Sequence, residues 1–80
     1  NENGLGAYGV ADVKNAVAAS AVDTLMVEDE LLRNSKEIES IVEEAEKRKV
    51  KLVVFSHESD GGRELAGYGG FAAILRFRPR

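Results

Sequence analysis

Val22-Asp23-Thr24-Leu25-Met26-Val27 and Val50-Lys51-Leu52-Val53-Val54-Phe55 bracket a charged run that opens at Asn34-Ser35-Lys36-Glu37, and this order decides the fold. The first apolar stretch is partly β-branched and stops at Glu28-Asp29-Glu30, as a buried strand does where it emerges into water. After a brief apolar turn at Leu31 and Leu32, Asn34 and Glu37 stand at capping-box spacing and start a helix. Ile38, Ile41, Val42 and Ala45 form its buried stripe. Glu37, Glu39, Glu43 and Glu44 lie early and Lys47, Arg48 and Lys49 late, which suits the helix dipole. Glu43 with Lys47 and Glu44 with Arg48 add i,i+4 pairs worth about 0.2 to 0.5 kcal/mol each. The order strand, helix, strand therefore predicts a βαβ unit whose parallel strands are covered on both faces.

Working outward, Val10, Val13, Ala16 and Val17 recur at helical spacing and predict an amphipathic helix up to about Ser20. Asn1 to Gly9 carries three glycines among polar residues, the composition of a linker or a truncated N-terminal element, so the organised domain is expected over 10–80. On the other side a short helix is expected from about Asp60 to Ala66, stopped by Gly67, Gly69 and Gly70. Phe71, Ala73, Leu75 and Phe77 then alternate with Ala72, Ile74, Arg76 and Arg78, which predicts a last strand closed by Pro79. The fold class is α/β.

Eighty residues with one proline and 44% hydrophobic side chains suffice for a single domain with one core. The absence of cysteine excludes a disulfide framework and a thiolate metal site, and it is compatible with a reducing cytosol. Eleven Lys and Arg against fourteen Asp and Glu, net −3, give no basic field of the kind that drives nonspecific nucleic-acid binding. No apolar run approaches the roughly 18 to 20 residues that span a bilayer, so no membrane role is expected. The chain opens at Asn1 without an initiator methionine, and the expectation is a piece of a longer protein.

In open α/β sheets, ligands sit beyond the carboxyl ends of the parallel strands, where this chain carries Glu28-Asp29-Glu30 and Ser56-His57-Glu58. Carboxylates from the two strands could hold Mg²⁺ for phosphoryl chemistry, or simply cap strand ends and helix starts. His57 is the single histidine. No Gly-x-Ser-x-Gly elbow accompanies it, and one histidine without cysteine cannot fill a zinc site. Gly61-Gly62 and Gly67-Tyr68-Gly69-Gly70 lack the Lys-Ser or Lys-Thr ending of a phosphate loop and read as turn glycines. Arg76, Arg78 and Arg80 could meet RNA phosphates or an acidic protein, or could blunt a strand edge against aggregation.

The run Ala21-Val22-Asp23-Thr24-Leu25-Met26-Val27-Glu28-Asp29-Glu30-Leu31-Leu32-Arg33, followed by Gly69-Gly70-Phe71-Ala72-Ala73-Ile74-Leu75-Arg76-Phe77, resembles the C-terminal domain of the Pelota family. Ala7-Tyr8-Gly9-Val10 is similar too. Related class-1 release factors of archaea and eukaryotes carry a long insertion after the segment matching Leu31-Leu32, whereas Asn34 here opens the next helix at once. The resemblance implies a three-layer α/β/α sandwich with a central mixed sheet, related to kink-turn-binding ribosomal proteins. It further implies a cytoplasmic, noncatalytic role in rescuing stalled ribosomes within messenger RNA surveillance, without a cofactor. The implied partners are the ribosome, an elongation-factor-like GTPase and a recycling ABC ATPase. Asp29, Glu30 and Arg33, at an exposed corner after a strand, are the expected partner contacts, together with Arg76 and Arg78 from a separate patch near the end of the chain. The alternatives are a kink-turn RNA-binding module and a Mg²⁺-dependent phosphoryl-transfer domain. Val10-Ala11-Asp12 stands where kink-turn binders carry an Asn-Glu pair, and sequence-specific nucleic-acid binding is not expected. Relatives usually carry His where this chain has Ser59, so His57 inherits no family role.

Overall fold

The computed structural model describes residues 6–77. Its elements are β1 (Gly6–Tyr8), α1 (Val10–Ala18), β2 (Val22–Glu28), α2 (Asp29–Asn34), α3 (Lys36–Lys47), β3 (Lys51–Phe55), α4 (Asp60–Ala66) and β4 (Phe71–Leu75). The strands form one mixed sheet in the order β1-β4-β2-β3. β2 and β3 run parallel with Leu25 opposite Leu52, as the βαβ pattern requires, and β4 lies antiparallel between β1 and β2. Helices flank both faces of the sheet, which makes three layers.

Alternation places Ala7, Leu25, Val27, Phe71, Ala73 and Leu75 on the face under α1 and α3, all of them buried. Val13, Ala16 and Val17 of α1 and Ile38, Ile41, Val42 and Ala45 of α3 complete this core, as their helical spacing predicts. The opposite face carries Tyr8, Met26, Ala72 and Ile74, and α4 alone packs there through Leu65.

Four local expectations change. Gly6–Tyr8 is not part of a loop: it pairs with Ile74, Ala73 and Ala72 as an edge strand, because its backbone groups find partners that its glycine-rich composition could not reveal. Residues 1–5 lie outside the described segment. Leu31 and Leu32 belong to α2 rather than to a turn, both packing partly against the core. Ser35, not Asn34, caps α3: its Oγ accepts from the Ile38 N–H at 3.2 Å, and its extended backbone ends one helix and begins the next. β3 is an edge strand rather than a central one, and it is not fully covered either: Val54 is 46% exposed.

The ends of α1, α3 and α4 share one geometry. Ala21 N–H reaches the Ala16 carbonyl, Val50 N–H the Ala45 carbonyl and Gly70 N–H the Leu65 carbonyl. Each closure needs a left-handed residue just before it, supplied by Ser20, Lys49 and Gly69 respectively. The Glu44–Arg48 pair forms at 3.0 Å, and Arg48 also donates to Ser20 Oγ at 2.7 Å, tying the ends of α3 and α1 together. Glu43 and Lys47 do not form an ion pair among the described residues.

Candidate functional site

The parallel register places Glu28 opposite Phe55, so the residues that follow, Asp29 and the Ser56-His57-Glu58 turn, leave the sheet side by side. Glu28 caps α2, accepting from the Glu30 N–H at 2.9 Å. Ser59 caps α4, accepting from the Gly62 N–H at 2.9 Å while its hydroxyl donates to the Ser56 carbonyl at 2.7 Å. A Cβ on Gly62 would lie 1.9 Å from that same carbonyl oxygen. Gly62 therefore sits inside a helix for close approach, not in a turn.

The folded turn delivers His57 to Asp29. One carboxylate oxygen, Asp29 Oδ1, accepts from the His57 N–H at 3.0 Å and lies 3.1 Å from ring Nδ1. On the other side of the ring, Nε2 lies 3.7 Å from Glu30 and 3.9 Å from Glu58. Desolvation alone would raise the Asp29 pKa, but hydrogen bonds from the His57 ring and backbone outweigh it and bring the carboxyl from 3.8 down to about 2. The Asp29 hydrogen bond, against some desolvation and with Glu30, Asp29 and Glu58 nearby, pushes His57 above its ordinary 6.5.

The two shifts act on stability at opposite ends of the pH scale. A lowered carboxylate contributes fully above its unfolded value of 3.8, and the contribution fades as pH falls toward about 2. A raised histidine contributes fully below 6.5 and loses its contribution as pH rises through its folded value.

Glu28, Asp29 and His57 each bring a donor atom within 4.8 Å of the others. Oδ1 of Asp29 accepts from the His57 N–H and lies against its ring, so the three side chains meet in a hydrogen-bonded corner.

The anticipated contact residues separate. Asp29 turns inward to His57, whereas Glu30 and Arg33 stand exposed on α2. Arg76 lies at the opposite end of β2 from this corner: β4 stops at Leu75, the Arg76 N–H donates to the Ala21 carbonyl at 2.7 Å, and its guanidinium donates to the Val22 carbonyl at 3.3 Å. The expected strand through Arg78 is thus shorter, because Arg76 closes the sheet end. Arg78 and Arg80 lie outside the described residues. Sequence reasoning placed His57 at the matched ends of two parallel strands but gave it no role, and its pairing with Asp29 emerges only in the fold.

A second feature lies on the α4 face. Tyr8, Met26, Phe55, Leu65, Tyr68, Ala72 and Ile74 surround an open apolar recess of about 290 Å³. Tyr8 and Tyr68 lean together at its rim, with ring centroids 4.6 Å apart.

The family model described as eRF1 domain 3 matches residues 1–79. The chain is 46% identical over 76 residues to a protein pelota homolog of Methanocaldococcus jannaschii, covering 95% of this chain and 22% of that protein. Among solved structures it is similar to archaeal Pelota in a model of the ribosome-bound protein with ABCE1. There the TM-score is 0.89 and the identity 41%, over 100% of this chain and 23% of that one. It is also similar to S. cerevisiae Dom34, described as a translation termination-like factor involved in RNA quality control pathways and interacting with Hbs1. That match has a TM-score of 0.82 and 27% identity, over 91% of this chain and 22% of Dom34. The chain thus spans under a quarter of the length of these relatives.

Proposed function

Because the chain belongs to the eRF1 domain 3 family, matching within it the C-terminal domain of Pelota, we propose that it is the noncatalytic docking domain of a cytoplasmic ribosome rescue factor. The observation that carries this is the match over the whole of this chain, in sequence and fold together, to one part of archaeal Pelota in its ribosome-bound form with ABCE1. The domain's partners are a recycling ABC ATPase, an elongation-factor-like GTPase and the ribosome. Dom34's description as interacting with Hbs1 supports a role in partner contact. The docking surface includes Glu30 and Arg33, which α2 presents to solvent from a corner held in place by Asp29 and His57. Exposed charges of this kind act mainly on encounter and are screened beyond about 8 to 10 Å at physiological ionic strength, so binding is weak and salt-dependent.

Titration of the labelled chain against the recycling ATPase, the GTPase and a kink-turn RNA at equal salt tests the proposal. The proteins bind and the RNA binds worse, and Glu30→Lys with Arg33→Glu weakens protein binding by roughly fivefold or more. Tighter, structure-selective RNA binding overturns the docking assignment. Unchanged protein binding by the double variant removes the α2 corner from the interface. Metal-dependent hydrolysis of nucleotides or RNA by the purified chain overturns the noncatalytic assignment.

A further inference from the structure

The β3–α4 turn and the first turn of α2 belong to segments far apart in sequence, yet one side chain joins them. The Ser56–Ser59 turn is internally braced: the Ser56 carbonyl accepts from both the Ser59 N–H and its hydroxyl, and Ser56 Oγ accepts from the Glu58 N–H. Among the described residues, the hydrogen bonds between this turn and α2 are the two from His57 to Asp29. The acids around the ring come from every element beside it: Glu28 from β2, Asp29 and Glu30 from α2, and Glu58 from its own turn. No Lys or Arg pairs with any of these acids among the described residues, so the imidazolium is their shared counter-charge.

We propose that His57 is a proton-operated latch: protonated, it ties the β3–α4 turn to the start of α2, and on losing its proton it lets the braced turn swing away as a unit. The imidazolium offers two N–H donors, Nδ1 toward Asp29 and Nε2 toward Glu30 and Glu58. The neutral ring keeps one proton. Held on Nδ1, it leaves a lone pair facing Glu30 and Glu58; held on Nε2, it leaves a lone pair facing Asp29. Either tautomer sets a lone pair against a carboxylate and leaves the acids without their counter-charge. The Nδ1–H tautomer keeps the ring bond to Asp29 only as a neutral donor, weaker than the charge-assisted one, and in the Nε2–H tautomer the backbone N–H of His57 holds the joint alone.

The latch belongs to the domain itself and is tested without a partner. Amide exchange and relaxation of the ¹⁵N-labelled chain are followed from pH 5.5 to 8.5, with each exchange rate corrected for its intrinsic pH dependence, alongside the ring titration of His57. As the ring deprotonates, protection of the His57 amide falls by roughly threefold or more and order parameters of Ser56 to Ser59 drop, while the Leu25 and Phe71 amides stay protected. His57→Gln removes this pH response, and Asp29→Asn moves the ring titration back toward its ordinary value. Glu58→Gln, at a largely exposed position, lowers the midpoint slightly without touching the fold. Protection of the His57 amide that is flat with pH overturns the latch. So does a pH response that persists in His57→Gln, or one that Leu25 and Phe71 share equally.

Discussion

The two faces of the sheet are built from the same strands and do different work. Under α1 and α3 the residues facing outward from the sheet, Leu25, Val27, Phe71 and Ala73, are at most 1% exposed. On the α4 face Ala72 is as deeply buried, but Ile74 beside it is 40% exposed, with Tyr8 and Tyr68 likewise half open. Two helices cover the first face, and one seven-residue helix covers only part of the second. Burial energy is therefore concentrated on one side, which leaves the other side and the strand-end corner able to vary without loss of the fold.

Substitutions on the two faces can break that comparison. Phe71→Ala empties the largest fully buried site on the α1–α3 face and is expected to cost about 3 to 5 kcal/mol, read from urea denaturation. Less than about 1 kcal/mol would mean that stability is spread evenly over the sheet.

Gly62→Ala sharpens it on the other side. The added methyl meets a backbone carbonyl that cannot step aside without moving the Ser56–Ser59 turn, so a loss of about 1 to 3 kcal/mol is expected. His57 chemical shifts should change with it, because the same turn carries the ring to Asp29. A neutral result would show that α4 rides loosely on the sheet.

Ile74→Thr gives the smallest effect. It keeps a β-branched residue in the strand while removing apolar surface that is already 40% exposed, so less than about 1 kcal/mol is expected in the same denaturation series. A cost matching that of Phe71→Ala would mean that the recess is a second core rather than an open surface.

Much of this was legible in the residues. The stripe of Ile38, Ile41, Val42 and Ala45 faces the sheet as its 3.6-residue period requires, and Phe71, Ala73 and Leu75 share a face by their period of two. The abrupt change from Val27 to Glu28 placed the strand end, and with it the corner where α2 begins. These signals are local: a strand or a helix sets the direction of each side chain from its own repeat, so one segment suffices to read it.

Other features depended on segments meeting. Whether Val50 to Phe55 lay in the middle of the sheet or at its edge was settled by β4 inserting between β1 and β2, a pairing that no apolar run encodes by itself. The three residues of β1 become a strand only because β4 offers them hydrogen-bond partners. Asp29 and His57, 28 residues apart, share a proton's environment because two parallel strands end level with each other. Sequence alone determined α1, α3 and α4 and the strands β2, β3 and β4, since these follow from local periodicity. Tertiary structure alone decided which strand is an edge, which face stays open and which acid meets the single histidine, since register and strand order are fixed by contacts between segments distant in the chain.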